Sequence, residues 1–139
     1  MSRYIPVALR REIRKADRGC CAYCHTPEEL TVTNFEFDHI IPETLGGKTV
    51  FENLCLACPT CNGQKWAHEF GVDPKTGIQT RFFHPRTQVW EEHFVWSQDK
   101  EQIIGLTSEG RATVETFTIN RVQLVRLRRL WIKLGIILD

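Results

Sequence analysis

The residues of this sequence that can do chemistry are concentrated in one stretch, Cys21 to Lys65. The stretch contains two Cys-x-x-Cys pairs, an Asp-His doublet between them, and two asparagines, one directly after the last cysteine. In chain order these residues are Cys21, Cys24, Asp38, His39, Asn53, Cys58, Cys61, Asn62 and Lys65. Thiolates hold structural metals, imidazole exchanges protons near neutral pH, and carboxylate and amide oxygens bind hard cations. The stretch therefore predicts a metal clip beside a candidate hydrolytic site.

Two Cys-x-x-Cys pairs are typical of a tetrahedral Zn²⁺ site, which stabilises a small fold. We predict that the structural zinc ligands are Cys21, Cys24, Cys58 and Cys61. The register is open at two points, because Cys20 adjoins Cys21 and Cys55 also forms a Cys-x-x-Cys pair with Cys58. Disulfides are disfavoured because the spacing suits a metal better and no secretion signal opens the chain. We accordingly expect a reducing, cytoplasmic location.

Length and composition limit the classes of protein to consider. The 139 residues are 42% hydrophobic and 25% charged, which is typical of one soluble globular domain. No apolar run reaches the roughly 18 residues that a membrane span needs, so we expect no membrane partner. The formal net charge is only +1, so nucleic acid has to be recognised through local basic patches.

Hydrophobic patterning predicts the elements that position the candidate site. The segment T-N-F-E-F alternates, so we predict a strand over Thr33–Phe37 that presents Asp38 and His39 at its end. We also predict a short second strand over Thr49–Phe51 and a helix from Asn62 to about Phe70, with Pro59 suited to the helix start. The expected order is strand, loop, strand, helix, with the zinc clip holding the two ends.

The flanking segments are predicted to contain a helix at each end of the chain. The first helix covers residues 3–18 and opens near Pro6, with an apolar face of Leu9, Ile13 and Ala16. The last covers 121–134, between an Asn120 cap and Gly135, with an apolar stripe of Leu124, Leu127, Trp131 and Leu134. Between these helices we predict a turn-rich break over 71–81, a hairpin of 89–97 with 102–106, and a helix or strand over 111–117.

The motif D-H-I-I-P, followed in order by G-G, N-L and C-P-T-C-N-x-x-K, resembles the HNH endonucleases of the zinc-clipped type. The resemblance covers roughly residues 20–66. It implies an α+β fold in which a ββα-metal finger, two antiparallel strands and a helix around one divalent cation, is clipped by the four-cysteine zinc site. We predict a single domain over 1–139 that consists of three segments. They are a basic N-terminal helix segment (1–19), the finger with its two Cys-x-x-Cys segments, here called knuckles (20–70), and an extension with an aromatic hairpin and a helix (71–139).

The resemblance also implies a role for each matching residue. His39 matches the general base, Asp38 a ligand of the catalytic metal, and Asn53 the asparagine that fixes the loop of the finger. Asn62 stands where the family often has a second histidine, which makes this chain an H-N-N variant. An amide oxygen is a harder ligand than imidazole, so we expect Mg²⁺ or Mn²⁺ on Asp38 and Asn62. Lys65 matches the trailing lysine and is expected to steady a phosphate or to balance local charge.

The function predicted from these residues is hydrolysis of phosphodiester bonds in double-stranded DNA, and the resemblance implies 3′-hydroxyl and 5′-phosphate ends. The predicted phosphate contacts are Arg10, Arg11, Arg14, Lys15, Arg126, Arg129 and Lys133. For the N-terminal helix taken alone, a solvated amphipathic surface is the preferred interpretation. Two alternatives stay open: a non-catalytic, zinc-stabilised nucleic-acid-binding module, and a zinc-clipped protein-interaction domain.

The remaining histidines and aromatic residues are expected to be structural. His68 lies six residues after Asn62 and points to another side of the predicted helix, so it cannot replace that ligand. His25, His84 and His93 have no supporting spacing, and we predict that His84 and His93 are structural or surface residues. Trp90, Phe94 and Trp96 are expected in the core.

Overall fold

A computed structural model describes residues 4–138, and within them it contains five α-helices and three two-stranded antiparallel sheets. The elements are α1 (Val7–Ala16), β1 (Glu36–His39), β2 (Leu54–Ala57), α2 (Pro59–Lys65), β3 (Phe70–Val72), β4 (Gln79–Arg81), α3 (Trp90–His93), β5 (Phe94–Trp96), β6 (Ile103–Gly105), α4 (Ser108–Thr116) and α5 (Val122–Lys133). The first residues of the predicted N-terminal segment, 1–3, lie outside the described range, as does residue 139.

The hairpin of β1 and β2 carries the Asp-His doublet at the centre of the fold. Asp38 pairs with Cys55 across the hairpin, and His39 pairs with Leu54. The doublet therefore lies inside the strand, which begins at Glu36 and not at the predicted Thr33. The second strand predicted over Thr49–Phe51 is wrong, because residues 51–53 form a 3-10 turn and β2 follows it. Every residue of β2 is buried, so its sequence does not show the alternation of a half-exposed strand.

Helix α2 begins at the proline that was predicted to suit a helix start, but it ends earlier than predicted. Pro59 is its first residue, a position where the missing N–H costs nothing. The Sγ of Cys58 caps this end by accepting a hydrogen bond from the Cys61 N–H at 3.4 Å. The helix stops at Lys65 because the backbone of Trp66 leaves the helical conformation, with a positive φ of 46°. Phe70, predicted as the helix end, instead begins β3.

Helix α1 is tied to the hairpin and to the C-terminal extension through the residue that follows it. The Asp17 carboxylate accepts a hydrogen bond from the Leu56 N–H at 2.8 Å and a bidentate pair from Arg86 at 2.9 Å. Of the predicted apolar face, Ile13 is buried but Ala16 is exposed, which corrects that prediction. The helix is anchored by Ile13 and by this carboxylate rather than by a full apolar stripe.

The extension contains two hairpins, where one was predicted. Residues 71–81 include most of the β3–β4 hairpin rather than only a break, and Asp73 in its turn pairs with Arg111 of α4 at 2.8 Å. The one hairpin that was predicted is confirmed by the pairing of β5 with β6, although residues 90–93 form the helical turn α3. The segment left open between helix and strand is helical, and Thr107 caps it by accepting a hydrogen bond from the Gly110 N–H.

Helix α5 departs from its predicted cap and stripe. The Asn120 amide does not cap it but bonds the N–H and C=O of Ile103, both at 2.8 Å. Leu124 and Trp131 are buried as predicted, whereas Leu127 and Leu134 are exposed. Arg128 is buried in their place, and its guanidinium donates to the carbonyl oxygen of Ile119 at 2.9 Å. Gly135 ends the helix with φ 78°, as predicted.

One cluster of buried apolar side chains runs from Ile13 in α1 to Trp131 in α5. Trp90 and Phe94 belong to it, as expected, and Trp96 packs against it partly buried. The division of the chain into segments 1–19, 20–70 and 71–139 stays a prediction. Among residues 4–138, no helix has the length and apolar character needed to cross a membrane.

Candidate metal centre and active site

Four cysteine thiols converge where the two knuckles meet. The Sγ atoms of the predicted ligands, Cys21, Cys24, Cys58 and Cys61, all lie within 4.8 Å of one another, and all four residues are buried. The sulfurs of Cys24 and Cys58 are 3.8 Å apart. A tetrahedron with Zn–S bonds of about 2.3 Å has edges of about 3.8 Å, so the cluster is close to the geometry that zinc requires. The four cysteines that the spacing selected are therefore arranged to bind a metal ion.

The groups around the four-cysteine cluster favour the thiolate form at Cys24 and Cys58, whereas burial raises the pKa of Cys21 and hydrogen bonds within the cluster raise the pKa of Cys61. The Thr26 hydroxyl lies 3.1 Å from the Sγ of Cys24, and the Arg121 guanidinium lies 3.9 Å from the Sγ of Cys58. Hydrogen bonds from the neighbouring cysteines hold the pKa of Cys24 well below its usual range. The other two cysteines are separate, since Cys20 is half-exposed and Cys55 is buried beside Asp38, 4.0 Å from its Oδ2.

The imidazole of His39 is held by two residues of the loop that follows β1. Its Nε2 lies 2.9 Å from the Thr49 hydroxyl and 3.8 Å from the Glu43 carboxylate. The His39 side chain is 12% exposed, so water can reach the ring while its orientation is fixed. Thr49 and Glu43 were missed by the sequence analysis, because a long turn gives no signal of which of its side chains folds back.

Asn53 fixes the same loop from beneath. Its Oδ1 accepts a hydrogen bond from the Ile41 N–H at 2.8 Å, and its Nδ2 donates to the carbonyl oxygens of Ile41 and Lys48 at 3.0 and 2.9 Å. The loop passes so close that a Cβ on Gly47 would lie 1.7 Å from the Ile41 oxygen. The Gly-Gly and Asn of the motif therefore act together: they close the loop and place Thr49 against His39.

Asp38 is buried and both of its oxygens are engaged. The Tyr23 hydroxyl donates to Oδ2 at 2.6 Å, and the Lys65 ammonium lies 3.2 Å from Oδ1. Burial raises the pKa of Asp38, and the charge of Lys65 and the hydrogen bond from Tyr23 offset part of that rise. Lys65 is 1% exposed, so of its two expected roles the buried ammonium fits the balancing of charge and not contact with a phosphate. Tyr23 was missed because the sequence shows it only as a residue inside the first knuckle.

The Asn62 side chain contacts the same strand at Glu36, two residues before Asp38. Its Nδ2 donates to the Glu36 carboxylate at 2.8 Å. Since residues two apart in a strand face the same side, Glu36 and Asp38 share the side of β1 that receives the Asn62 and Lys65 side chains of α2. The structure thus brings Asn62 to this face of the hairpin, next to Glu36, with Lys65 rather than Asn62 in contact with Asp38.

The predicted phosphate contacts divide into engaged and exposed side chains. Arg14 forms an ion pair with Glu28, and Arg129 pairs with Glu101 at 2.7 Å. Arg10 is partly buried. The other members of the predicted set, Arg11, Lys15, Arg126 and Lys133, are exposed.

The contacts of the remaining histidines are structural. His68 is exposed, and its ring packs edge-on to that of Trp66. The Nδ1 of His84 accepts hydrogen bonds from the backbone of the turn that follows it, and the Nδ1 of His93 lies 2.6 Å from the Thr107 hydroxyl. His25 stacks on Trp90 with ring centroids 4.0 Å apart.

Comparison with known proteins supports the resemblance seen in the motifs. Residues 21–67 match the family model described as HNH endonuclease. A segment of 75 residues is 36% identical to the CRISPR-associated endonuclease Cas9 of Corynebacterium diphtheriae, and this alignment covers 50% of the chain but only 7% of that protein. No solved structure gives a significant match. The segment matched by the family model includes both knuckles, β1, β2 and α2.

Proposed function

Because residues 21–67 match the family model for HNH endonucleases, we propose that this protein is a metal-dependent nuclease that hydrolyses phosphodiester bonds in double-stranded DNA. The observation that carries the proposal is His39, which is held by Thr49 and Glu43 at the end of a strand and is still open to water. The resemblance in the D-H-I-I-P motif implies the role of general base for this residue. The activity of the whole relative, of which the chain matches only a small part, is not carried over.

The hairpin of β1 and β2 with α2 is proposed to be the ββα-metal finger. Its support is the order of the elements and their side-chain contacts, because Lys65 and Asn62 of α2 bond to Asp38 and Glu36 of β1. The four-cysteine cluster joins the start of α2 to the first knuckle and would hold a structural zinc ion. In this arrangement the zinc stabilises the finger and takes no part in the reaction.

His39 acts as the base that takes a proton from the attacking water. Its Nε2 is oriented by Thr49 and Glu43, which leaves Nδ1 as the ring nitrogen for the water. Among the described residues, 4–138, no hydrogen bond engages that Nδ1. Asn53 acts at one remove, since it fixes the loop that carries both partners of the imidazole. General-base catalysis of this kind contributes about 10²- to 10⁴-fold to a rate.

The residues on the α2 side of β1 fit a hard divalent cation. Asp38 and Asn62 offer a carboxylate and an amide oxygen, the donors that Mg²⁺ and Mn²⁺ prefer, and Glu36 adds a second carboxylate. The Oδ1 of Asp38 is paired with the Lys65 ammonium, so this ammonium has to move aside when a cation binds. We assign Asp38 and Asn62 as the ligands and Lys65 as a positioning residue. When bound, the metal supplies neutralisation of phosphate charge and stabilisation of the leaving 3′-oxygen.

DNA is proposed to approach the end of β1, where Asp38 and His39 are neighbours in the chain. Phe37 lies two residues before His39 in the same strand, and the guanidinium of Arg14 lies 5.3 Å from the centre of the Phe37 ring. Helix α1 therefore borders the proposed site and presents its exposed Arg11 and Lys15 to solvent. Such side chains contact phosphates and position the duplex without reading its sequence.

The proposal is tested by incubating supercoiled plasmid with zinc-loaded protein and added Mg²⁺ or Mn²⁺, and by mapping the ends of the products. We expect nicked or linear DNA with 3′-hydroxyl and 5′-phosphate ends. The Asp38→Asn and Asn62→Ala variants should need more metal for the same rate, while Glu52→Gln, an exposed carboxylate, serves as a matched control. Wild-type protein that gives no metal-dependent product would refute the proposal.

A second candidate is a DNA-binding module without turnover, which the saturation of Asp38 by Tyr23 and Lys65 favours. A carboxylate with both oxygens engaged needs one partner to move before it binds a metal. If this second candidate is correct, DNA binding should weaken with salt and survive the loss of Asp38 and His39, and the plasmid should stay intact throughout. The plasmid assay separates the two candidates.

A further inference from the structure

We propose that Tyr23 is a positioning residue of the nuclease site. It connects the zinc clip and the C-terminal extension to the Asp38 carboxylate and fixes the orientation of that carboxylate. The inference rests on the proposed function, because Asp38 is there the ligand of the catalytic metal. It assigns a role to a residue outside the D-H, N and N motif and to the extension that follows it.

The contact itself is short and buried. The Tyr23 hydroxyl donates to Asp38 Oδ2 at 2.6 Å, and the exposed fractions of the two residues are 0% and 5%. A phenol keeps its proton at neutral pH, so the Tyr23 hydroxyl is the donor of this hydrogen bond. With Oδ2 occupied by Tyr23, the carboxylate has a fixed orientation and presents Oδ1 to a cation. That oxygen faces the Lys65 ammonium in this structure.

Tyr23 is held by the zinc clip on both sides along the chain. It stands between the ligands Cys21 and Cys24, whose sulfurs belong to the four-cysteine cluster. The Ala22 N–H donates to the Leu56 carbonyl oxygen at 2.8 Å, which fastens the same knuckle to β2. The backbone that carries the phenol is therefore fixed relative to the strand that pairs with Asp38.

The extension holds Tyr23 from the other side. The indole N–H of Trp90 donates to the Tyr23 carbonyl oxygen at 3.1 Å. The ring of Phe117, at the end of α4, packs edge-on against the Tyr23 ring with centroids 4.9 Å apart. Edge-to-face packing of this kind fixes the direction of an aromatic ring. The extension thus supports a side chain that links the first knuckle to Asp38.

A partner that orients a metal ligand typically contributes 10- to 100-fold to metal affinity or activity. We therefore expect Tyr23→Phe, which removes one hydroxyl from a filled site, to weaken Mn²⁺ binding about 10- to 100-fold at unchanged zinc content. Cleavage should fall at low metal concentration and recover as the concentration rises, because the reacting groups themselves are intact. Tyr4 is the other tyrosine and is 76% exposed, so Tyr4→Phe is the matched control.

The experiment measures Mn²⁺ binding by electron paramagnetic resonance without DNA, together with zinc content and plasmid cleavage. Weakened Mn²⁺ binding by Tyr23→Phe with full zinc, and unchanged binding by Tyr4→Phe, would support the inference. Equal Mn²⁺ affinity of Tyr23→Phe and wild type would overturn it while the nuclease proposal stands. Wild-type protein that neither binds Mn²⁺ nor cleaves DNA would overturn both.

A second measurement applies if Tyr23→Phe loses zinc or unfolds. In the Tyr4→Phe protein, Tyr23 is the sole tyrosine, so ¹³C-tyrosine labelling gives a single phenol resonance. Mg²⁺ addition should shift this resonance with the same midpoint as it activates cleavage. A resonance that stays in place while cleavage is activated would overturn the inference.

Discussion

Lys65 and Asp38 form an ion pair in the interior of the protein, with the ammonium nitrogen 3.2 Å from Oδ1. The same ammonium donates to the main-chain oxygen of His39 at 3.0 Å. One side chain of α2 therefore fixes two successive residues of β1, the proposed metal ligand and the proposed base. The docking of α2 on the hairpin, which the four-cysteine cluster secures at the other end of the helix, sets the geometry of the candidate site.

Replacing Lys65 with methionine should destabilise the fold at neutral pH. The substitution leaves the Asp38 carboxylate buried without its counter-charge, a loss that typically costs about 3–5 kcal/mol. The loss should shrink in acid, because Lys65 lowers the pKa of Asp38 and its removal lets the carboxyl take up a proton more readily. Urea unfolding at two pH values measures both effects. Lys48→Met, at an exposed position, should change the unfolding free energy by no more than about 0.5 kcal/mol; a similar small change for Lys65→Met would contradict the assignment.

Zinc should be needed for the fold and not only for activity. Cys58→Ser removes one ligand of the four-cysteine cluster and the sulfur that caps α2. We expect this variant to lose bound zinc and its cooperative thermal unfolding, since such sites supply folding free energy directly. Cys20→Ser, a half-exposed cysteine outside the cluster, is the control and should retain both. Atomic absorption and circular dichroism give the two readouts. A folded, zinc-free Cys58→Ser protein would show that the clip is dispensable.

Much of the candidate site was predictable because its signals are local in the sequence. The two knuckles, the Asp-His doublet and the asparagines occur at fixed spacings, and the four cysteines that the spacing selected do converge. Pro59 marked the start of α2, and Gly135 marked the end of α5. These features depend on a few neighbouring residues and not on how distant segments pack.

The missed features all depend on tertiary contacts. Strand β2 is buried on both faces, so it lacks alternation and its register with β1 could not be found from pattern alone. Asn120 is typical of a helix cap in the sequence, but its amide bonds Ile103 of a neighbouring strand instead. Tyr23 and Lys65 meet at Asp38 from segments 42 residues apart in the chain. No local propensity encodes such a meeting.

The Gly-Gly turn should tolerate no side chain at its second position. A Cβ on Gly47 would lie 1.7 Å from the Ile41 oxygen and 2.8 Å from the Asn53 amide nitrogen, so Gly47→Ala has to open the loop that carries Thr49. We expect lower stability and slower cleavage, as His39 loses its orientation. Gly63→Ala, in α2 with open space around its Cα, should be neutral or stabilising by up to about 1 kcal/mol. Thermal unfolding and plasmid cleavage compare the two variants. Normal cleavage by Gly47→Ala would refute the proposed role of the loop.

Exposed cations of α1 should contribute to DNA affinity without sequence preference. Each phosphate contact that is lost should reduce the slope of log K against log salt by about 0.9. We expect Arg11→Ala and Lys15→Ala, made in the inactive His39→Ala protein, to weaken binding of unrelated duplexes equally. Fluorescence anisotropy at several salt concentrations measures this, and Lys75→Ala, in the turn between β3 and β4, is the control. Unchanged slopes for both α1 variants would remove this helix from the interface.

The central claim is that His39 is the general base, and single-turnover cleavage of supercoiled plasmid tests it most directly. Wild type, His39→Ala and His68→Ala are compared at saturating Mg²⁺ and equal zinc content. His68 is an exposed histidine whose ring packs against Trp66, so its replacement should leave the rate close to wild type. We predict that His39→Ala is slower by at least about 100-fold. Cleavage by His39→Ala at the wild-type rate would contradict the account.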